Sequence, residues 1–186
     1  MVCRRARRAV RGDREMKLPV ALALVIGVIG AVITYLYVGP LGGLGLMVPA
    51  TFVGAASYFA AGGDRAALAK SVPANVWGIV CGTVTLILIG LATSPIVIGL
   101  IVGGLTAVFI LGALVPALGF VPGSVFGYAT TVMFGLLTGA SGTDLTLPTG
   151  PFTVMLVSFL VGAAFGYVSS VLAGKLVAKP EAVPAA

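Results

Sequence analysis

Few residues in this chain could do chemistry. Its 186 residues hold no histidine, five acids and two cysteines. Cys3 lies in a basic leader and Cys81 in an apolar run, and isolated thiols make neither a disulfide framework nor a metal set. Without histidine the usual metal ligand and proton shuttle are missing. Asp144, in GASGTDLTLPTG, is the only acid between Val72 and Gly174, a stretch with no Lys or Arg. Inside a membrane an acid is a functional candidate. Gly139, Ser141, Gly142 and Thr143 around it read instead as a loop, with Asp144 solvated or capping a helix. There is no phosphate loop and no nucleophile beside a base, so the reading is not an enzyme, with no catalytic residue, cofactor or metal.

What remains is a set of hydroxyls placed by a doubled motif. VPATFVGAAS (48–57) and VPGSVFGYAT (121–130) share V-P-x-x-x-x-G-x-A-(Ser/Thr). In one reading Pro49 and Pro122 begin helices, where a missing N–H costs nothing, and Gly54 and Gly127 let neighbouring backbones approach. In the other, the prolines break helices inside the hydrocarbon, and Thr51, Ser57, Ser124 and Thr130 line a central polar pathway. Pro148 and Phe152, in TLPTGPF, join these eight as candidate pathway or helix-break residues.

The elements that would position them are membrane helices. Only 9% of residues are charged, against about a quarter in soluble domains, so no water-soluble surface can be built and the lipid bilayer is the solvent. A hydrocarbon core about 30 Å thick takes about 20 apolar residues as helix. Six such runs fall at 18–38, 44–62, 74–92, 96–115, 120–139 and 151–173. They are continuously apolar, without the alternation of barrel strands, so the fold class is an all-α integral membrane protein. The apolar run continues past Ala31 with no A-x-A-like site, against a cleaved signal peptide, and MKLPVALALVIG reads like a natural start at Met16.

The basic residues set the orientation. Arg4, Arg5, Arg7, Arg8, Arg11, Arg14 and Lys17 precede the first run, Arg65 and Lys70 follow the second, and Lys175 and Lys179 follow the sixth. Positive loops stay inside, which puts both termini in the cytoplasm and makes these charges membrane flanks rather than a nucleic-acid surface. Trp77, Tyr35 and Tyr37 read as interfacial belt residues.

The doubled motif belongs to a longer register. Residue i matches i+76 from Pro19 with Pro95 to Gly43 with Gly119; after a drop of three residues the motif follows, then Val72–Pro73 against Leu147–Pro148 and Trp77 against Phe152. An odd number of spans per copy gives a 3+3 inverted-topology repeat, with residues 1–17 a basic cytoplasmic leader, 18–92 the first unit, 93–174 the second and 175–186 a cytoplasmic tail. Glycines four apart (Gly78/Gly82, Gly99/Gly103, Gly123/Gly127, Gly135/Gly139, Gly162/Gly166) point to close helix contacts within a protomer or in a homo-oligomer.

FVGAASYFAAGG and FVPGSVFGYATT, with the six runs and the short basic loop, resemble the YcdZ-like bacterial inner-membrane proteins, a family defined by a domain of unknown function. That resemblance implies a multi-pass inner-membrane protein and carries over no site. TLPTGPF is more weakly similar to the L-P segments that line urea transporters, whose halves are related by inverted symmetry. The function expected is a channel, facilitator or transporter for a small uncharged solute, since no buried charge is available for proton or ion coupling. The alternative is a non-transporting scaffold or partner subunit whose glycines serve packing alone.

Overall fold

The computed structural model describes residues 16–177. Six α-helices follow in order: α1 (Leu18–Val38), α2 (Val48–Ala60), α3 (Arg65–Ile89), α4 (Pro95–Leu111), α5 (Val121–Thr138) and α6 (Pro151–Leu176). Short 3-10 turns at Gly42–Leu44, Gly112–Leu114 and Pro116–Leu118 lead into α2 and α5. The chain is an all-α, multi-pass membrane protein.

The helices stand where the apolar runs lie, with two corrections. α2 has 13 residues, about 20 Å at 1.5 Å per residue, so it is too short to cross the bilayer alone; the other five are long and apolar enough. The residues expected to begin this span, 44–47, form a glycine-rich approach whose Gly45 takes a left-handed φ of 65°. The second correction concerns α3, which begins at Arg65 and carries Arg65 and Lys70 on helix rather than loop. Asp64 caps it, accepting the Ala67 N–H at 2.8 Å, and Ala, Leu and Lys favour helix directly after. Pro73 therefore lies inside α3, where it leaves the Ala69 carbonyl without its usual donor.

α3 packs along α5 and α2 along α6, the two most extensive pairings; α1 lies on α6, α4 lies on α3, and α3 meets α6 between them. Glycine sets both close pairings. A Cβ on Gly54 would sit 2.8 Å from the Phe159 carbonyl oxygen, and one on Gly78 2.8 Å from the Tyr128 nitrogen. Gly82 stands against Thr131 and Gly166 against Tyr58, so partners in each pair run parallel.

Ala21 packs with Ala173 and Gly63 lies close to Ser170. The start of α1, the α2–α3 turn and the end of α6 thus share one end of the bundle, with Lys17, Arg65 and Lys175. α4 is the helix least covered by protein: only Phe109 is buried, while Ile96 and Leu100 are over 70% exposed, as a lipid-facing helix requires.

Two of the three expected belt aromatics have other work. Tyr35 is 71% exposed and fits the belt. Tyr37 is buried, with its hydroxyl 3.2 Å from that of Thr51. Trp77 donates its indole N–H to the Phe109 carbonyl at 3.2 Å and lies against Gly112, tying the end of α4 to α3. Indole N–H groups in a bilayer seek a partner, and a carbonyl freed at a helix end supplies one.

Candidate functional site at the α3–α6 crossing

Both V-P motifs begin helices, and both begin within the bundle. The Met47 N–H, just before α2, donates to the Ser158 hydroxyl at 3.1 Å; Ser158 lies about two turns into α6. At the start of α5, a Cβ on Gly123 would lie 3.0 Å from the Ala74 side chain and 3.1 Å from Asn75 Oδ1, roughly two and a half turns into α3. Ala74–Asn75 and Ser158–Phe159 are also where α3 meets α6. Val72, Asn75 and Val76 of one helix and Leu156, Phe159 and Leu160 of the other line a common crevice there. The α2 and α5 starts thus converge on this crossing from opposite sides.

Asn75 joins the elements. It is 2% exposed, and its Oδ1 accepts the Ser57 hydroxyl from α2 at 2.7 Å. A buried amide is costly unless paired, and this bond returns about 1 kcal/mol net. Asn75 is the only side-chain amide in the chain. Sequence reasoning missed it, although a lone amide in an apolar run is itself a signal.

The four motif hydroxyls do not share one cavity. Thr130 donates to its own helix, to the Phe126 carbonyl at 2.6 Å. Thr51 lies 3.2 Å from the Met47 carbonyl, also of its own turn, as well as from Tyr37. Ser57 faces Asn75. Ser124 is buried without a partner among the described residues, as are Ser71 and Ser169. Gly54 and Gly127 both press on neighbouring backbone, Gly127 against Asn75 and Ile79.

Pro49 and Pro122 are exposed at their helix starts. Pro148 is apart from all of these, exposed in the loop before α6 with Gly45 against it. Phe152, at the start of α6, packs on the apolar cluster of Ala50, Ile79, Phe134 and Phe159.

Asp144 organises that loop. Its Oδ1 accepts the Thr146 N–H at 2.8 Å and the Thr146 hydroxyl at 2.6 Å, and its Oδ2 accepts the Thr149 hydroxyl at 2.6 Å. The Thr146 and Thr149 hydroxyls and the Thr146 N–H hold its carboxyl below the ordinary 3.8. A lowered folded pKa gives stability that is present above the unfolded pKa and lost as pH falls through the folded one. The protection factor of the Thr146 amide against hydrogen exchange should therefore hold through neutral pH and fall only in acid below 3.8; a fall near pH 6 would mean that the carboxylate does not hold the loop.

A family model described as "Protein of unknown function (DUF1097)" matches residues 23–174. The chain belongs to the DUF1097 family. The match runs from within α1 to the last turns of α6, so the whole crossing falls inside the DUF1097 region and the basic leader and tail outside it. The likeness to YcdZ-like membrane proteins holds at this family level. No curated protein and no solved structure matches the chain.

Proposed function

We propose that this DUF1097 chain is an inner-membrane facilitator or transporter for a small uncharged solute, built as a 3+3 inverted repeat with its pathway at the α3–α6 crossing. The observation that carries this is the convergence of the α2 and α5 starts on Asn75 and Ser158, where α3 meets α6. Helices that begin inside a bundle at corresponding places in two halves are the pointers to a central site in inverted-repeat transporters.

Paired contacts support the repeat. Gly78 stands against Ser124 and Tyr128 as Gly162 stands against Thr51 and Ala55. These neighbours hold the same places around Gly127 and Gly54. The clusters match as well: Ile33, Ala55 and Phe165 on one side, Phe109, Tyr128 and Cys81 on the other. In this register Trp77 corresponds to Val161, not to Phe152, and Val72–Pro73 to Leu156–Val157, not to Leu147–Pro148. The units remain 18–92 and 93–174, and the solute is uncharged because no ionisable side chain among the described residues lines the crossing.

Orientation follows from the shared basic end, which we place in the cytoplasm. A reporter fused after Val177 should report cytoplasm and one inserted between Leu145 and Thr146 the outside, with removal of residues 2–15 changing neither. A reporter after Val177 on the outside would overturn this orientation.

A second reading, a packing scaffold, draws on the threonines that bond to their own helices, among them Thr83, Thr85, Thr131 and Thr138. Stopped-flow shrinkage of liposomes holding the purified chain, challenged with glycerol and urea, separates the two. Transport predicts flux above protein-free liposomes, lowered at least tenfold by Asn75→Leu in protein that still melts cooperatively. Folded protein with no flux above protein-free liposomes for these two, or for a neutral solute with a single acceptor oxygen, favours the scaffold.

A further inference from the structure

We propose that the crevice between α3 and α6 binds a small neutral molecule carrying one acceptor oxygen, a carbonyl or an ether, which enters from the bilayer and is held by the side-chain N–H groups of Asn75. This rests on the reading of the crossing as a solute site and names the class of solute it takes. Asn75 Oδ1 is occupied by the Ser57 hydroxyl, so the free end of the amide is its NH2, which has no acceptor among the described residues. Asn75 itself lines the crevice, whose remaining walls are Val72, Val76, Leu156, Phe159 and Leu160. One hydrogen-bond donor among apolar walls selects for one acceptor on an otherwise apolar body, because any further polar group would be buried unpaired. A charge is excluded more strongly, since no counter-ion lines the space.

The mouth argues for entry from lipid. Leu160 is 44% exposed and belongs to a helix that crosses the membrane, so the rim of the crevice meets hydrocarbon rather than water. Its walls close too tightly for water, so Leu156 and Leu160 at the rim must swing to admit a ligand. A neutral solute that dissolves in the bilayer is concentrated there, whereas a polar one would have to pass the apolar rim.

The chain contains one Asn and no Gln, so uniformly 15N-labelled protein in nanodiscs has a single side-chain carboxamide NH2 pair in its 15N–1H spectrum. The probes are cyclohexanone and methylenecyclohexane, matched in shape and differing in the acceptor oxygen. Cyclohexanone should shift the Asn75 NH2 pair saturably, and methylenecyclohexane should not. Leu160→Trp, which fills the mouth from the lipid side, should weaken the cyclohexanone response at least tenfold in protein with unchanged melting. No saturable shift, an equal response to both probes, or full cyclohexanone binding by Leu160→Trp would each overturn the proposal. Saturable binding without liposome flux would keep the site and sink transport. Undiminished flux of cyclohexanone through Leu160→Trp protein that no longer binds it would sink the site and leave transport standing.

Discussion

Leu substituted at Gly54, Gly78, Gly127 or Gly162 is expected to destroy the folded bundle. The reason is what each side chain would meet. A Cβ on Gly54 lies 2.8 Å from the Phe159 carbonyl oxygen and 3.3 Å from the Gly162 Cα; on Gly162 it lies 3.0 Å from the Ala55 nitrogen. On Gly78 it lies 2.8 Å from the Ser124 carbonyl carbon, and on Gly127 3.0 Å from the Ile79 nitrogen. Overpacking against side chains typically costs about 1 to 3 kcal/mol. Here the obstacle is backbone of a parallel helix, which cannot rotate away, so each Leu should cost about 3 kcal/mol or more. The protein needs these glycines because α2–α6 and α3–α5 are its most extensive pairings, and small residues are what let membrane helices approach.

The control lies on α4, where a Cβ on Gly99 or Gly103 meets nothing within 4 Å. Gly99→Leu and Gly103→Leu should melt like the parent protein in detergent, while the four buried variants lose their cooperative transition or their monodisperse peak on size exclusion. Gly54 and Gly127 should also be affected to a similar degree, because their environments correspond. Indifference to Leu at one of that pair would remove the structural equivalence on which the inverted repeat depends. Damage at Gly103 equal to that at Gly78 would mean that a packed neighbour covers α4.

How far the sequence could be read depended on which force decides each feature. Long apolar runs between Pro, Gly and polar breaks locate helices because the bilayer leaves a backbone no other way to satisfy itself, and α1, α5 and α6 fall where those runs lie. The shortness of α2 was hidden because Leu41, Leu44, Leu46 and Met47 are as apolar as a span; hydropathy cannot separate an apolar loop from an apolar helix, and only the turn geometry at Gly45 does. Pro73 reads as a boundary, yet the stronger start signal was the Asp64 cap nine residues earlier. The helix-start role of the V-P motif was legible, but not that both starts lie against α3 and α6, because that is a relation between segments more than 100 residues apart for Met47 and Ser158. Asn75 went unread for the same reason: its partner Ser57 sits on another helix, and nothing local to either residue announces the bond. Glycine spacing overstates contact, since Gly99/Gly103 and Gly78/Gly82 look alike in sequence while only the second pair is packed.

Gly45→Val is the second substitution with a large expected effect, and it acts far from the helix pairings. Gly45 has φ 65°, a conformation that costs an ordinary L-residue about 1 to 2 kcal/mol and suits a β-branched one least. A Cβ there would also lie 2.5 Å from the Pro148 side chain and 3.0 Å from its carbonyl carbon, so overpacking adds about 1 to 3 kcal/mol. The loop before α2 and the loop before α6 cannot then stay in contact. Since Met47, two residues on, donates to Ser158, parting the loops should also loosen the start of α2 at the crossing. Hydrogen exchange of the Met47 and Thr51 amides should rise at least tenfold and the melting midpoint should fall. Gly43→Val is the matched control: it lies in the same glycine-rich approach without a positive φ, and a Cβ there meets nothing within 4 Å. If Gly45→Val and Gly43→Val exchange alike at Met47, the Gly45–Pro148 contact does not hold the α2 start in place, and that start must be secured by α6 alone.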